Sequence, residues 1–282
     1  MSTKSKKLPE KSTLSFIGCG VMAESIIAGL LRQKIVAPEQ IAASHPREER
    51  RNELENKYKI RVFSDNVRAA TAFSNSETTV ILCVKPQRLD AVLNELPPVS
   101  PSQLVISIVA GAGIETISEG LKSRRVVRAM PNTPSQIGAG MTAWTCSPEV
   151  DESHKTQVRI MLSALGKELF VETENMIDMA TSLSATGPTY IFMVMEAMTD
   201  AGVHLGFSRE TSKELVQQTM LGSVLFAIES QKHPAELRNM VTSPGGTSAE
   251  AIYQMEKGAL RTVLSKAIYA AYKRAVDLGK RK

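Results

Sequence analysis

The sequence predicts an α/β protein in which an N-terminal, doubly wound parallel sheet is followed by an all-α domain. Three observations predict it. Between residues 12 and 171 short β-type runs alternate with helical patterns, as in a parallel sheet whose strands are joined by crossover helices. After residue 172 the strand signals stop and only helical patterns remain. The segment Phe16-Ile17-Gly18-Cys19-Gly20-Val21-Met22-Ala23 reads as a strand end, a glycine turn and the first turn of a helix, with G-x-G-x-x-A spacing.

Strands are expected at residues 14–17, 41–43, 61–63, 79–84, 105–109, 126–129, 141–145 and 168–171. Helical patterns fall between them, for example at 24–32, 48–57, 89–96 and 149–165. The run 79–84 is apolar throughout after its threonine, as expected of a central strand covered on both faces. Six helices follow at 176–183, 189–205, 209–231, 235–241, 249–257 and 259–278. Pro188 and Pro234 sit at first-turn positions, Ser208 is a candidate N-cap, and Gly206 and Gly258 mark ends. The helix at 189–205 is apolar almost all the way round, and such a helix in a small all-α unit is usually buried by a partner chain. The expected organisation is a disordered leader at 1–11, a dinucleotide-binding Rossmann-type domain at 12–173, and a helical substrate and intertwined dimerisation domain at 174–282.

The 282 residues suffice for two ordinary domains, and 43% hydrophobic with 22% charged residues is a globular composition. The longest apolar run, 104–114, is interrupted by Ser107 and two glycines and is too short to span a membrane. The lysine-rich start lacks an apolar core and a cleavage pattern, so the expected location is cytoplasmic. Cys19, Cys83 and Cys146 form no C-x-x-C pair and read as buried free thiols, and no metal site is expected. Much of the net charge of +5 lies in the two tails, and no arginine stripe is interleaved with aromatics, so nucleic acid is not expected as a partner.

In the fingerprint, Gly18 permits the tight turn, Gly20 lets backbone approach a pyrophosphate, and Ala23 lets the helix lie close on the strand. Val21 and Met22 open the helix whose N-terminus faces the anion. NAD-type sites place an acid at the end of the second strand, but here the chain reads Ala43-Ser44-His45-Pro46-Arg47. Ser44 and Arg47 suit a 2′-phosphate, which predicts NADPH in preference to NADH; alternatively Arg47 simply opens a surface helix. The fourth strand ends in Val84-Lys85-Pro86, at the crevice edge where a lysine is most often merely solvent-facing. Ala110 and Gly111, after the fifth strand, are small enough for a flat ring to lie on backbone. Asn66 reads as a helix cap, a ligand to adenosine, or both.

Val241-Thr242-Ser243-Pro244-Gly245-Gly246-Thr247-Ser248 joins two helices of the second domain. A glycine-rich turn leading into a helix N-terminus is either a carboxylate site or a capped inter-helix turn. With Arg128-Ala129-Met130-Pro131-Asn132-Thr133-Pro134 and Leu183-Ser184-Ala185-Thr186-Gly187-Pro188, these motifs occur in the order seen in pyrroline-5-carboxylate reductases, which the chain resembles from Leu14 to about Leu278. The resemblance implies NAD(P)H-dependent reduction of 1-pyrroline-5-carboxylate to L-proline, and a helical domain that dimerises, with dimers assembling into a ring, commonly a decamer. It further implies that Ser44, Arg47, Asn66, Val84, Lys85, Pro86, Ala110 and Gly111 face the cofactor. Ser243, Gly245, Gly246, Thr247 and Ser248 would face the substrate carboxylate and ring nitrogen. The family commonly has threonine where this chain has Ser248; the hydroxyl is kept and its rotamer stiffness is lost.

A protonated cyclic imine is already electrophilic at carbon, so the expected chemistry needs no buried acid, and none of His45, His154, His204 and His233 lies in these motifs. Ser248 is the expected catalytic residue, orienting the ring nitrogen, with Thr247 next; the reaction is expected in a cleft shared by both domains. A 3-hydroxyacid dehydrogenase of similar layout would need a lysine in the first long helix of the second domain, and residues 176–205 contain none. A non-catalytic dinucleotide-binding scaffold is the other alternative, disfavoured by intact glycine motifs in both domains.

Overall fold

The computed structural model describes residues 7–73 and 77–280. The described residues form two compact units, one from residues 7–186 together with 271–280, the other from Gly187–Ala270. Residues 1–6 of the expected leader lie outside the described residues. Of the rest, Leu8 is buried in the core and its N–H donates to Ile35 O at 3.3 Å, so packed chain begins before Ser12.

The first unit is built on an eight-stranded sheet: β1 (Thr13–Ile17), β2 (Ile41–Ser44), β3 (Arg61–Phe63), β4 (Thr78–Leu82), β5 (Val105–Ser107), β6 (Val126–Met130), β7 (Gly140–Cys146) and β8 (Gly166–Phe170). Their order is β3-β2-β1-β4-β5-β6-β7-β8, so the winding reverses between β1 and β4. That reversal opens a crevice beyond the carboxyl ends of these two strands, the usual dinucleotide position. The pairs are parallel except β6–β7, which is antiparallel with Arg128 opposite Thr145. The sheet is thus doubly wound and mostly parallel, as expected, with this one antiparallel pair that the strand pattern did not distinguish. Residues 131–139 carry only a 3₁₀ turn, Thr133–Ile137, too short a connection for a crossover helix, so the chain returns antiparallel.

Alternate side chains of the central strands enter opposite cores. Leu14, Phe16, Ile81, Ile106 and Val127 join Trp144 on one face, while Ile17, Val80, Leu82, Val105 and Val126 pack on the other. The helices of this unit are α1 (Val21–Arg32), α2 (Glu48–Tyr58), α3 (Asn66–Ala70), α4 (Leu89–Glu95), α5 (Ile114–Leu121), α6 (Glu152–Ser163) and α7 (Glu174–Ala180). α6 begins three residues later than its pattern suggests, because the Asp151 carboxylate caps it by accepting from His154 N at 2.9 Å. α7 runs into a π-helical turn, Thr181–Ala185, instead of continuing regularly.

The second unit holds α8 (Gly187–His204), α9 (Arg209–Ser230), α10 (Pro234–Met240), α11 (Thr247–Lys257) and most of α12 (Leu260–Gly279), whose last turns belong to the first unit. Ser208 caps α9, its hydroxyl accepting from Thr211 N at 3.1 Å. α8, α10 and α11 bury no residue. Ile191, Phe192 and Met193 on α8 and Leu221, Val224, Leu225, Phe226 and Ile228 on α9 are each at least half exposed. Apolar exposure this dense marks an association surface.

Candidate functional site

Two helix N-termini present unpaired backbone N–H groups. At α1 the N-cap is Gly20, with no side-chain cap, and the N–H groups of Val21, Met22 and Ala23 find no acceptor among the described residues. A side chain at Gly20 would meet nothing within 4 Å, so an anion has open access to these donors. Ala23 is buried against the strand, and Val21 is exposed.

The turn before α1 is fixed from two sides. Gly18 has φ +87°, and a Cβ there would lie 2.6 Å from Val84 Cγ1 at the end of β4, so only glycine fits. Its N–H donates to Ser44 Oγ at 2.9 Å, while Cys19 N donates to Ser44 O at 2.7 Å. Ser44 Oγ donates in turn to Asn66 Oδ1 at 2.7 Å, and Asn66 Nδ2 donates to Glu95 Oε2 at 3.0 Å. Ser44 is buried, with its hydroxyl engaged in holding the glycine turn. Asp65 is the cap of α3, accepting from Arg68 N at 2.8 Å, and Asn66 is the first helical residue, its side chain given to this chain of bonds.

Arg47 lies at the N-cap of α2, just beyond β2, exposed and without an ion pair among the described residues. Beside it, burial and the charges of Arg47, Arg50 and Arg51 hold the His45 imidazole below its ordinary value, and Arg47 N donates to its Nδ1 at 3.2 Å. Lys85 is exposed at the N-cap of the 3₁₀ turn Pro86–Arg88, close after β4. On α1, Glu24 is paired with Arg50 and receives Lys57 Nζ at 3.0 Å and Tyr58 Oη at 2.7 Å. Burial alone would raise the Glu24 carboxyl, but these donors outweigh it and hold it at about 2, from 4.5. Its negative charge is thereby neutralised near the anion-receptive end of α1. Burial pushes the Cys19 thiol up to about 12 and holds the Cys83 thiol well above its ordinary value, so both are inert neutral groups beneath the turn.

After β5, Ala110 and Gly111 form a turn in which Gly111 has φ +73°. A Cβ on Gly111 would meet Leu278 C at 2.7 Å and Gly279 N at 2.9 Å, so this glycine is small because the end of α12 packs on it. The sequence reading attributed its smallness to a bound ring alone.

The second anion-receptive end opens α11. Its N-cap is Gly246, without a side-chain cap, and the N–H groups of Thr247 and Ser248 have no acceptor among the described residues. Gly246 N donates to Ser243 O at 3.0 Å, closing the turn, and a Cβ on Gly246 would meet Ser243 Oγ at 2.5 Å. Ser243, Gly245 and Thr247 are exposed and Ser248 is half-buried. The hydroxyls of Ser243, Thr247 and Ser248 make no hydrogen bond among the described residues, whereas Thr242 Oγ1 donates to Arg238 O at 2.7 Å. The structure thus gathers the first group of expected residues around the β1–β4 crevice in one unit and the second group on a single loop in the other.

Sequence reasoning missed the residues behind these surfaces, among them Glu24, Glu95 and Glu174. For Glu24 a signal existed: Arg50 and Lys57 are seven apart and therefore share one face of α2. Among the described residues no group of His, Cys, Asp and Glu could hold a metal ion, and no helix is long and apolar enough to cross a membrane.

The family model described as "Pyrroline-5-carboxylate reductase dimerisation" matches residues 174–278, and one described as "NADP oxidoreductase coenzyme F420-dependent" matches residues 13–111. The pyrroline-5-carboxylate reductase of Synechocystis sp. is 40% identical over 268 residues, covering 95% of this chain and 98% of the relative. The chain belongs to the pyrroline-5-carboxylate reductase family. The reductase of Pseudomonas aeruginosa is 39% identical over 94% of this chain and 96% of its own length. Among solved structures, the Plasmodium falciparum pyrroline carboxylate reductase with NADP bound superposes with a TM-score of 0.87 at 30% identity, covering 96% of this chain and 99% of that one. Family membership sets aside the 3-hydroxyacid dehydrogenase alternative and makes the exposed α8–α9 face part of a dimerisation domain.

Proposed function

We infer that this chain reduces 1-pyrroline-5-carboxylate to L-proline, the last step of proline synthesis, using NADPH in preference to NADH. Membership of the reductase family carries the reaction. The observation that carries the site is the pair of glycine-led, uncapped helix N-termini, one at Gly20 and one at Gly246. When bound, the nicotinamide supplies a hydride to the imine carbon. The N–H groups of Val21, Met22 and Ala23 hold the pyrophosphate, with Gly18 and Gly20 allowing close approach. Ser44 and Asn66 keep the glycine turn in place, and Arg47 gives charge-assisted bonds to a 2′-phosphate. Val84, Lys85, Pro86, Ala110 and Gly111 border the cofactor beyond the ends of β4 and β5.

The backbone N–H groups of Thr247 and Ser248, with Ser243, Gly245 and Gly246 shaping the loop, hold the substrate carboxylate at a helix N-terminus. The Ser248 hydroxyl orients the ring nitrogen, and Thr247 stands next to it. Because the imine enters protonated, the residues bind and orient and no general acid is required; holding donor and acceptor about 3–3.5 Å apart supplies much of the rate. The working form is a homodimer through the helical domain, five dimers assemble into a ring of ten subunits, and the location is cytoplasmic.

A spectrophotometric assay of NADPH oxidation with pyrroline-5-carboxylate tests the reading, and a protein inactive with both cofactors would refute it. Ser248→Ala is expected to lower kcat roughly ten- to a thousand-fold, about 1.4–4 kcal/mol of barrier; an unchanged kcat at saturating substrate removes Ser248 from the mechanism. Arg47→Ala is expected to raise the NADPH KM about tenfold, one charge-assisted bond's worth, while leaving the NADH KM within about twofold. Equal rises for both cofactors would show that Arg47 does not read the phosphate.

A further inference from the structure

The turn after β5 is held by groups that arrive from far along the chain. Glu174, the first residue of α7, accepts from Ile114 N at 2.8 Å through Oε1, which caps the start of α5 in place of any local side chain. The same oxygen accepts from Arg128 Nη1 at 3.1 Å, and Asp178 Oδ1 accepts from Arg128 Nη2 at 2.5 Å. The Arg128 side chain is only 6% exposed and sits in the middle of β6, opposite Ser107 of β5. A buried guanidinium shared by two carboxylates one helical turn apart fixes both position and rotation of α7. One residue further on, Asn175 Oδ1 accepts from Tyr272 Oη at 3.0 Å, tying α7 to α12. The end of α12 then lies against Gly111, closing the loop of contacts on the turn where it began.

We propose that Glu174 is a positioning residue for the cofactor: through Ile114 N it sets the β5–α5 turn, Ala110 to Gly113, that borders the nicotinamide end. The inference rests on the assignment of that turn to the cofactor. Its charge partner, Arg128, anchors Glu174 to the sheet, so the turn is indexed to β6 and not left to the flexibility of a glycine-rich loop. The carboxylate does two separable jobs, an ion pair with Arg128 and a hydrogen bond to Ile114 N, and three substitutions separate them. Glu174→Ala loses both, Glu174→Gln keeps an oxygen acceptor at the same reach without the charge, and Glu174→Asp keeps the charge but is one methylene too short.

The test measures NADPH KM, pyrroline-5-carboxylate KM and melting temperature for the full-length wild type and all three variants. Glu174→Ala and Glu174→Asp are expected to raise the NADPH KM roughly three- to tenfold, the range of one lost hydrogen bond. The pyrroline-5-carboxylate KM should stay within about twofold, and Glu174→Gln should bring the NADPH KM back near the wild-type value. If Glu174→Ala does not fold, the contrast between Asp and Gln decides. Variants that melt lower yet keep the wild-type NADPH KM would overturn the inference, as would Gln being worse than Asp. A wild type that neither binds nor oxidises NADPH would instead sink the cofactor assignment itself, so the two failures are distinguishable.

Discussion

Strands β1, β2, β4 and β5 of the first unit bury every side chain, whereas helices α8, α10 and α11 of the second bury none. Both stretches are rich in apolar residues. In the sheet unit the two faces of these four strands are covered by the chain's own elements, so their side chains are buried within one copy. In the helical unit the same kind of residue faces outward, as Phe192, Met193, Leu225 and Phe226 do, and a dimerisation domain supplies the missing cover from a second copy. Stability is therefore local to the chain in one half and shared between chains in the other.

Three perturbations test that contrast. The largest effect is expected from Trp144→Ala in the sheet unit, where a fully buried indole packs edge-on to Phe170 with ring centroids 4.8 Å apart. It should cost about 3–5 kcal/mol of stability by denaturant unfolding and leave the dimer intact in sedimentation. A Trp144→Ala protein that dissociates would show that the two halves are not independent. Next comes Phe226→Glu on α9, expected to weaken dimerisation by about 2–3 kcal/mol per copy and to leave NADPH binding by the sheet unit within about twofold. An unshifted dimer would place the interface elsewhere on the helices. The smallest effect concerns acid. Glu24 titrates at about 2 in the folded chain against 4.5 when unpaired, so its contribution is present above 4.5 and is lost as pH falls from there towards 2. Glu24→Gln should therefore lower the unfolding free energy at neutral pH by about 1 kcal/mol after allowing for its partial exposure, and flatten the fall in stability below pH 5. Parallel acid curves for the two proteins would remove Glu24 from the account.

The sheet unit was largely legible because its determinants are local. The apolar run at 79–84 announces a doubly covered strand, and the glycine spacing at Gly18 and Gly20 announces the turn into α1. The antiparallel return of β7 was not, since direction depends on the length and shape of residues 131–139 and both directions share one strand pattern. Likewise the sequence marked Ser44 and Asn66 as residues of interest but not what they hold, because their bonds to Gly18 and Glu95 cross 26 and 29 positions of chain. Glu174 left no trace at all: a charge at a helix start is ordinary until Ile114 and Arg128 are found beside it. On the helical side, the apolar character of 189–205 was visible, and the cover it needs lies on another molecule.

The chain's sole tryptophan, Trp144, lies on β7 in the first unit, and the helical unit from Gly187–Ala270 has none. Intrinsic indole emission is therefore a one-sided reporter. It will follow melting of the sheet while staying silent on separation of the subunits, and a circular-dichroism trace of the helices should part company from it wherever the two events differ in temperature.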